Sequence, residues 1–206
     1  MVENPKNVGK KKFFQAFTVG EIVIMAVIGI VFGVGGTPIV FVGRFFMTAL
    51  GAWGWMGFAA IMGWFYLAGV LSSYIVRKPG AGIIGEVISG VAQVLSGNPN
   101  GVVVLVTTFL QGLGAELGFL FTGYKKWNPF VIALAGALSS VFGTWIDAYF
   151  FGMLDIGIGF NLIAWGIRMI SGAVFGIIGM LIFKAVARAG VLRGTALDKE
   201  VRSLKA

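Results

Sequence analysis

Thirty-two consecutive residues, from Phe45 to Val76, carry no charged side chain. That exceeds the about 20 residues an α-helix needs to cross a bilayer core. Five further runs share the pattern, at 22–43, 79–97, 99–124, 127–154 and 156–183, each broken by one or two ionisable residues at most. The 206 residues are 58% apolar and 12% charged with a mean hydropathy of +0.93, which points to lipid rather than water as the solvent.

Turn chemistry separates the runs: RKPG at 77–80, GNPNG at 97–101, KKWNP at 125–129 and MLDIGIG at 153–159. Inside the longest run, GAWGW at 51–55 is expected to divide an interfacial segment from a second span over about 56–76, with Trp53 and Trp55 at headgroup depth. The run at 22–43 is longer than a signal-peptide core and no clean small-residue cleavage site follows it, so it reads as a retained span. No convincing internal repeat is visible. The expected architecture is an all-α membrane protein of six transmembrane helices.

A net charge of +8 would suit nucleic acid if it formed one solvated face, but the bases fall in short clusters between the apolar runs. With a cytoplasmic N-terminus, the inside collects Lys6, Lys10, Lys11, Lys12, Arg77, Lys78, Lys125, Lys126, Lys184, Arg188, Arg193, Lys199, Arg202 and Lys205, which is 14 of 16 bases. Arg44 falls outside and Arg168 within the last span. The positive-inside rule therefore puts both termini in the cytoplasm, giving an N-terminal tail (1–20), a six-helix domain (21–188) and a C-terminal tail (189–206).

The chain has no His and no Cys, which removes His-based catalytic triads, zinc sites of the HExxH kind, disulfides and Cys-ligated clusters. No GxxxxGK[ST] stretch occurs, so this polypeptide is not expected to hydrolyse ATP itself and any energy source for transport must be external. No cofactor and no enzymatic activity are expected.

Glu86, Glu116 and Asp147 each interrupt a span, and an acid at mid-membrane costs about 2.5 to 3.5 kcal/mol unless paired, protonated or hydrated. Arg168 is the one comparably buried base, so the interior lacks two positive charges that a cationic ligand could supply. An Arg168–carboxylate pair acting only as glue is the structural alternative. Counted from the span ends, Asp147 lies in the outer part of its helix and Glu116 deeper, about 14 Å from Lys125, together describing a cavity that opens outward.

Helical spacing aligns Glu86 with Gln93, aligns Thr108, Gln111 and Gly112 with Glu116, and aligns Ser140 and Thr144 with Asp147. Trp145, Tyr149 and Trp165 flank these stripes and could stack on a flat heterocycle. Asn98 reads as a turn former. Gly29 and Gly33, extended by Ala26, give the first helix a smooth face, suited either to internal packing or to docking on a separate membrane subunit.

EIVIMAVIGIVF at 21–32, RKPGAGIIGEVISG at 77–90, SGNPNG at 96–101, LQGLGAELGFL at 110–120, WIDAYFFG at 145–152, IRMISGAVFG at 167–176 and AGVLRGTAL at 189–197 resemble, in order along nearly the whole chain, the YkoE-type substrate-binding (S) component of energy-coupling factor vitamin transporters. The resemblance implies a six-helix S component that captures thiamine or its hydroxymethylpyrimidine precursor outside and hands it over inside. It implies a transmembrane coupling protein and two ATP-binding cassette ATPases as partners, with the first helix docked on the coupling protein through Ala26, Gly29 and Gly33. Glu86, Gln111, Glu116 and Asp147 lie within the matched motifs and are carried over as pocket residues. Gln93 stands where the family pattern calls for an acid; as a pocket residue it would shift selectivity from the thiazolium cation toward a neutral pyrimidine. Thiamine, held by the acids and stacked on Trp or Tyr, is the expected ligand. The competing class is a stand-alone ion-coupled transporter or channel for a small cation.

Overall fold

The computed structural model describes residues 16–204, so Lys6, Lys10, Lys11, Lys12 and Lys205 of the expected inside set lie outside the described residues. Every regular element among the described residues is helical. The order is α1 (Val19–Leu50), α2 (Ala52–Ile61), a 3₁₀ turn (Met62–Tyr66), α3 (Leu67–Val76), α4 (Ala81–Leu95), α5 (Val103–Leu120), α6 (Pro129–Phe150), a second 3₁₀ turn (Leu154–Ile156), α7 (Ile158–Arg188) and α8 (Ala196–Ser203). Five stretches are long and apolar enough to cross a membrane: α1, the Ala52–Val76 unit, α5, α6 and α7. Helix α4 is apolar but has only 15 residues, about 22 Å at 1.5 Å per residue.

Local chemistry sets several of these boundaries. Thr18 and Glu21 cap α1 reciprocally, the Thr18 hydroxyl accepting from the Glu21 N–H at 3.3 Å and the Glu21 carboxylate from the Thr18 N–H at 2.7 Å. Asn128 accepts from the Val131 N–H at 3.0 Å, with Pro129 following in the first turn of α6, where its missing N–H costs nothing. Gly51, at φ 55°, makes the reversal between α1 and α2, a conformation that a side chain would oppose.

Two expectations about the early part of the chain are corrected. Helix α1 does not end near residue 43 but runs through Arg44 to Leu50, 32 residues or about 48 Å, so it must tilt in or project from an about 30 Å core. Arg44 is tolerated because it lies near the helix end and donates to the Asn100 side chain. Residues 45–50 are thus no separate interfacial segment, and the second membrane stretch starts at Ala52 rather than near 56. Trp53 is 73% exposed, whereas Trp55 is fully buried in the core.

The Ala52–Val76 unit bends into the middle of the bundle. Packing runs around a ring in the order α1, α4, α5, α6, α7, α2 and back to α1, while α3 sits inside and touches α1, α4, α5 and α7. Close approach depends on small residues, most sharply where α6 crosses α7: a Cβ on Gly136 would lie 2.1 Å from the Gly172 carbonyl oxygen, and one on Gly172 would lie 2.2 Å from that of Gly136.

The bundle has two unlike ends. At one, Lys78 pairs with Glu21 at 2.7 Å, Arg77 pairs with Glu200 and lies 5.1 Å over the Trp127 ring, and Leu197 and Val201 of α8 are buried in the core. This is the basic end. At the other, the Gly97–Gly101 loop, the α1–α2 turn and the segment after α6 meet, with Arg44 over the Phe151 ring at 5.4 Å. This is the mouth end.

Candidate functional site

A polar cavity opens at the mouth end, and most of the elements around it contribute to its walls. Helix α4 supplies Gln93, the following loop Asn98 and Asn100, α5 Thr107, Thr108 and Gln111, α6 Asp147, and Phe58 and Phe65 come from the α2 and 3₁₀ segments. Gln93 Oε1 accepts from Asn98 Nδ2 at 2.9 Å, and Asn98 Oδ1 accepts from the Asn100 N–H at 2.9 Å. This chain of amides ends on Arg44, which donates to the Asn100 side chain. Gln111 is 4% exposed and its Oε1 has no hydrogen-bond partner. The cavity volume is about 30 Å³, enough for a water molecule.

Asp147 reaches the cavity from behind, with Oδ2 2.7 Å from Arg168 Nη1. Arg168 is fully buried; its guanidinium stacks over Trp55 at 4.3 Å and lies beside Tyr66, while its Nε has no acceptor. Taking both charges out of water demands this close geometry, because each would otherwise cost several kcal/mol. The pair leaves the cavity wall electrically balanced, and Arg44 at the rim adds positive charge.

Of the seven expected pocket residues, the structure gathers Gln93, Gln111 and Asp147. Glu86 shares the α4 face with Gln93 but lies seven residues toward the basic end, about 10 Å away. It is fully buried, accepts from the Gly69 N–H at 2.8 Å, and its second oxygen has no partner. Glu116 lies at the basic end, accepting from the Gly82 N–H at 2.6 Å, from Ser73 Oγ at 3.2 Å and from the Tyr124 hydroxyl. Glu116 and Asp147 therefore do not share one cavity. The reason is that Glu116 follows Gln111 by more than a turn along α5, toward Tyr124, while Asp147 sits near the opposite end of the antiparallel α6. Trp145 is half-buried outside the cavity wall, and Tyr149 is 66% exposed, its ring edge-on to Phe150.

The small face of α1 is already occupied. A Cβ on Gly29 would meet Ile88 at 2.7 Å, and one on Gly33 would meet the Ser89 carbonyl oxygen at 2.4 Å; Ala26 is half-buried. These glycines serve the α1–α4 contact, so the expected docking face is not left open for a separate subunit.

Sequence reasoning passed over Asn100, Arg44 and the aromatic walls as site residues and took Asn98 for a turn former. GNPNG reads as a turn, and only the fold shows that the same turn hangs over the cavity with its amides pointing inward. Arg168 was visible as a buried base, but its choice of Asp147 over Glu86 or Glu116 depends on the α6–α7 crossing.

Comparison with known proteins adds three findings. Residues 20–142 match the family described as "ABC-type cobalt transport system, permease component". The chain is 39% identical over 189 residues to the "Putative HMP/thiamine permease protein YkoE" of Bacillus subtilis (strain 168), covering 91% of this chain and 94% of that protein. A solved structure titled "Crystal structure of an S-component of ECF transporter" superposes with a TM-score of 0.86 at 37% identity, covering 92% of this chain and 95% of that one. These relatives are transport proteins rather than enzymes, and they agree with the apolar helices in making the chain a multi-pass protein of the bacterial plasma membrane. The chain belongs to the YkoE-type family of S components of energy-coupling factor transporters.

Proposed function

We propose that the chain captures an aminopyrimidine at the mouth end of the bundle and releases it toward the basic end under the drive of an ATP-consuming partner complex. The observation that carries this reading is the convergence of Gln93, Asn98, Asn100, Gln111 and Asp147 on one cavity. Carboxamides both donate and accept, which suits a ring nitrogen beside an exocyclic amino group, and Phe58, Phe65 and Phe151 offer apolar faces for the ring.

The charge balance favours a neutral ligand. Asp147 is the sole acid of the cavity wall and is compensated by Arg168, while Glu86 and Glu116 lie elsewhere. The two missing positive charges are therefore not a property of this pocket. Hydroxymethylpyrimidine fits the balanced wall better than thiamine, whose thiazolium ring brings a cation toward Arg44. Gln93, standing in place of an acid, works in the same direction. A metal ion as cargo is disfavoured because the chain has neither His nor Cys, and among the described residues no three acids converge.

In the bilayer, α4 supplies a sixth crossing. Its short length is sufficient because the Gly97–Gly101 loop beyond it folds into the mouth rather than extending to the headgroups. An even number of crossings puts both termini on the basic side, which the positive-inside rule makes cytoplasmic, and the mouth then faces outward. A transmembrane coupling protein and two ATP-binding cassette ATPases complete the transporter. The cavity is too small for a pyrimidine as it stands, so entry requires the 97–101 loop to lift and the Arg44–Asn100 hydrogen bond to break.

Titration calorimetry of the purified full chain tests this. Hydroxymethylpyrimidine should bind, with thiamine weaker by about tenfold or more, the range of one lost or mismatched polar contact. Tighter binding of thiamine would overturn the charge argument, and binding of neither would overturn the assignment.

A further inference from the structure

Arg44 stands apart from the other bases. Among the described residues it is the sole base at the mouth end, since Arg168 lies inside the bundle and the rest gather at the basic end. Its place near the end of α1 sets it between two hollows. On one side it donates to Asn100 in the wall of the amide cavity. On the other it lines an outer chamber of about 210 Å³ together with Thr48, Phe150, Phe151 and Met153. Phe151 belongs to both linings, so the chamber adjoins the cavity across that ring and the guanidinium 5.4 Å over it.

The guanidinium is underused. The hydrogen bond to Asn100 engages Nη2, while Nε is buried with no acceptor. These two N–H groups share one edge of the guanidinium, the fork that takes two oxygens of a phosphate or carboxylate. No acid compensates the charge: among the described residues no carboxylate lies within ion-pair distance of Arg44, Asp147 is paired with Arg168, and Asp155 lies outside the chamber lining. Arg44 is half-buried against Phe151, so an anion beside it is attracted more strongly than at an open surface. Holding Asn100 alone requires no charge, because a neutral donor would do the same.

We propose that the outer chamber binds the phosphate of a pyrimidine phosphate monoester whose ring occupies the amide cavity, with Arg44 holding two phosphate oxygens through Nε and Nη2. The inference rests on the aminopyrimidine reading and extends its substrate class from the free alcohol to the phosphate ester. The loop movement that admits the ring breaks the Arg44–Asn100 bond and frees the whole fork, so an anionic end replaces the lost acceptor where a neutral ligand leaves it to water. The hydroxymethyl group is where such a pyrimidine carries a phosphate. The ring itself stays neutral and suits the balanced wall of Asp147 and Arg168, while the negative charge falls on the rim.

The test is titration calorimetry of the purified full chain with hydroxymethylpyrimidine, with its phosphate monoester and with inorganic phosphate. The ester should bind about tenfold more tightly than the alcohol, the range of one charge-assisted contact. Arg44→Gln keeps a neutral donor for Asn100 and should bring the ester-to-alcohol ratio down to about one. Thr48→Trp, which fills the chamber from an exposed position, should do the same. Asn100→Ala releases the Arg44 contact but keeps the charge, and should preserve the ratio. Equal binding of ester and alcohol by the parent would overturn the chamber while leaving the aminopyrimidine reading intact, whereas binding of neither would overturn that reading itself. A ratio lost as fully in Asn100→Ala as in Arg44→Gln would make Arg44 a latch for the loop and overturn the site. Inorganic phosphate displacing the ester at equal concentration would make the chamber a site for free phosphate and overturn the substrate assignment.

Discussion

Asp147 and Glu116 are both 7% exposed, yet they are satisfied in opposite ways at opposite ends of one bundle. Glu116 draws three neutral donors from three segments, the Gly82 N–H, Ser73 and Tyr124, and so ties α3, α4 and the loop after α5 together. Asp147 has one partner, a buried cation, and faces a cavity lined by amides, among them Gln111 with an unused oxygen. A carboxylate whose hydrogen-bonding capacity is spent on its own chain works as a clamp. One that neutralises a single cation beside unspent amides leaves a surface on which a ligand can complete the bonding.

The largest effect should come from breaking the ionic side of this pair. Asp147→Asn leaves Arg168 buried without a counter-charge and should destabilise the protein by about 3–5 kcal/mol, read from thermal unfolding in detergent. The apolar double replacement Asp147→Leu/Arg168→Met should restore most of that stability while binding no pyrimidine. A double variant as unstable as Asp147→Asn would mean that the pair holds the fold rather than the ligand.

Removing the clamp should cost less. Glu116→Ala strands three donors and should lower stability by about 2–3 kcal/mol, with pyrimidine affinity of the folded fraction within about twofold of the parent. A loss of affinity matching that of the cavity residues would erase the distinction between the two ends.

Gln111→Ala sharpens the mouth side. Its free oxygen is not needed for folding, so affinity should fall about tenfold, or about 1.4 kcal/mol, with little change in melting temperature. The smallest effect is expected at Tyr149, whose exposed ring touches Phe150 outside the cavity; Tyr149→Ala should change binding and stability by less than about 0.5 kcal/mol. A clear loss of affinity there would mean that the aromatic wall of the site has been misplaced.

The individual residues show how far one chain of letters reaches. Glu86, Glu116, Asp147 and Arg168 stand out as buried because an ionisable group inside an apolar run is costly wherever the run folds. Which acid meets the arginine is another matter, since Asp147 and Arg168 are 21 residues apart and come together only through the antiparallel packing of α6 on α7. Trp53 and Trp55 are two residues apart and look alike in sequence, but one faces outward and the other carries a guanidinium on its ring. Gly29 and Gly33 announce close helix packing correctly without naming the partner, which is α4 of the same chain.

The apolar runs, their turns and the placing of the bases determined by themselves that this is a helical membrane protein with its loop cations gathered at one end. Those are properties of single segments in contact with lipid and water, and each segment's transfer energy is set by its own composition. The tertiary structure alone decided that a turn of GNPNG roofs a cavity, that Asp147 rather than Glu86 is paired with the buried arginine, and that α1 and α7 part to leave an apolar groove. These depend on which helix crosses which and at what height. That is settled by small residues such as Gly136 and Gly172 that let backbones approach, a packing energy shared between segments and legible in neither one alone.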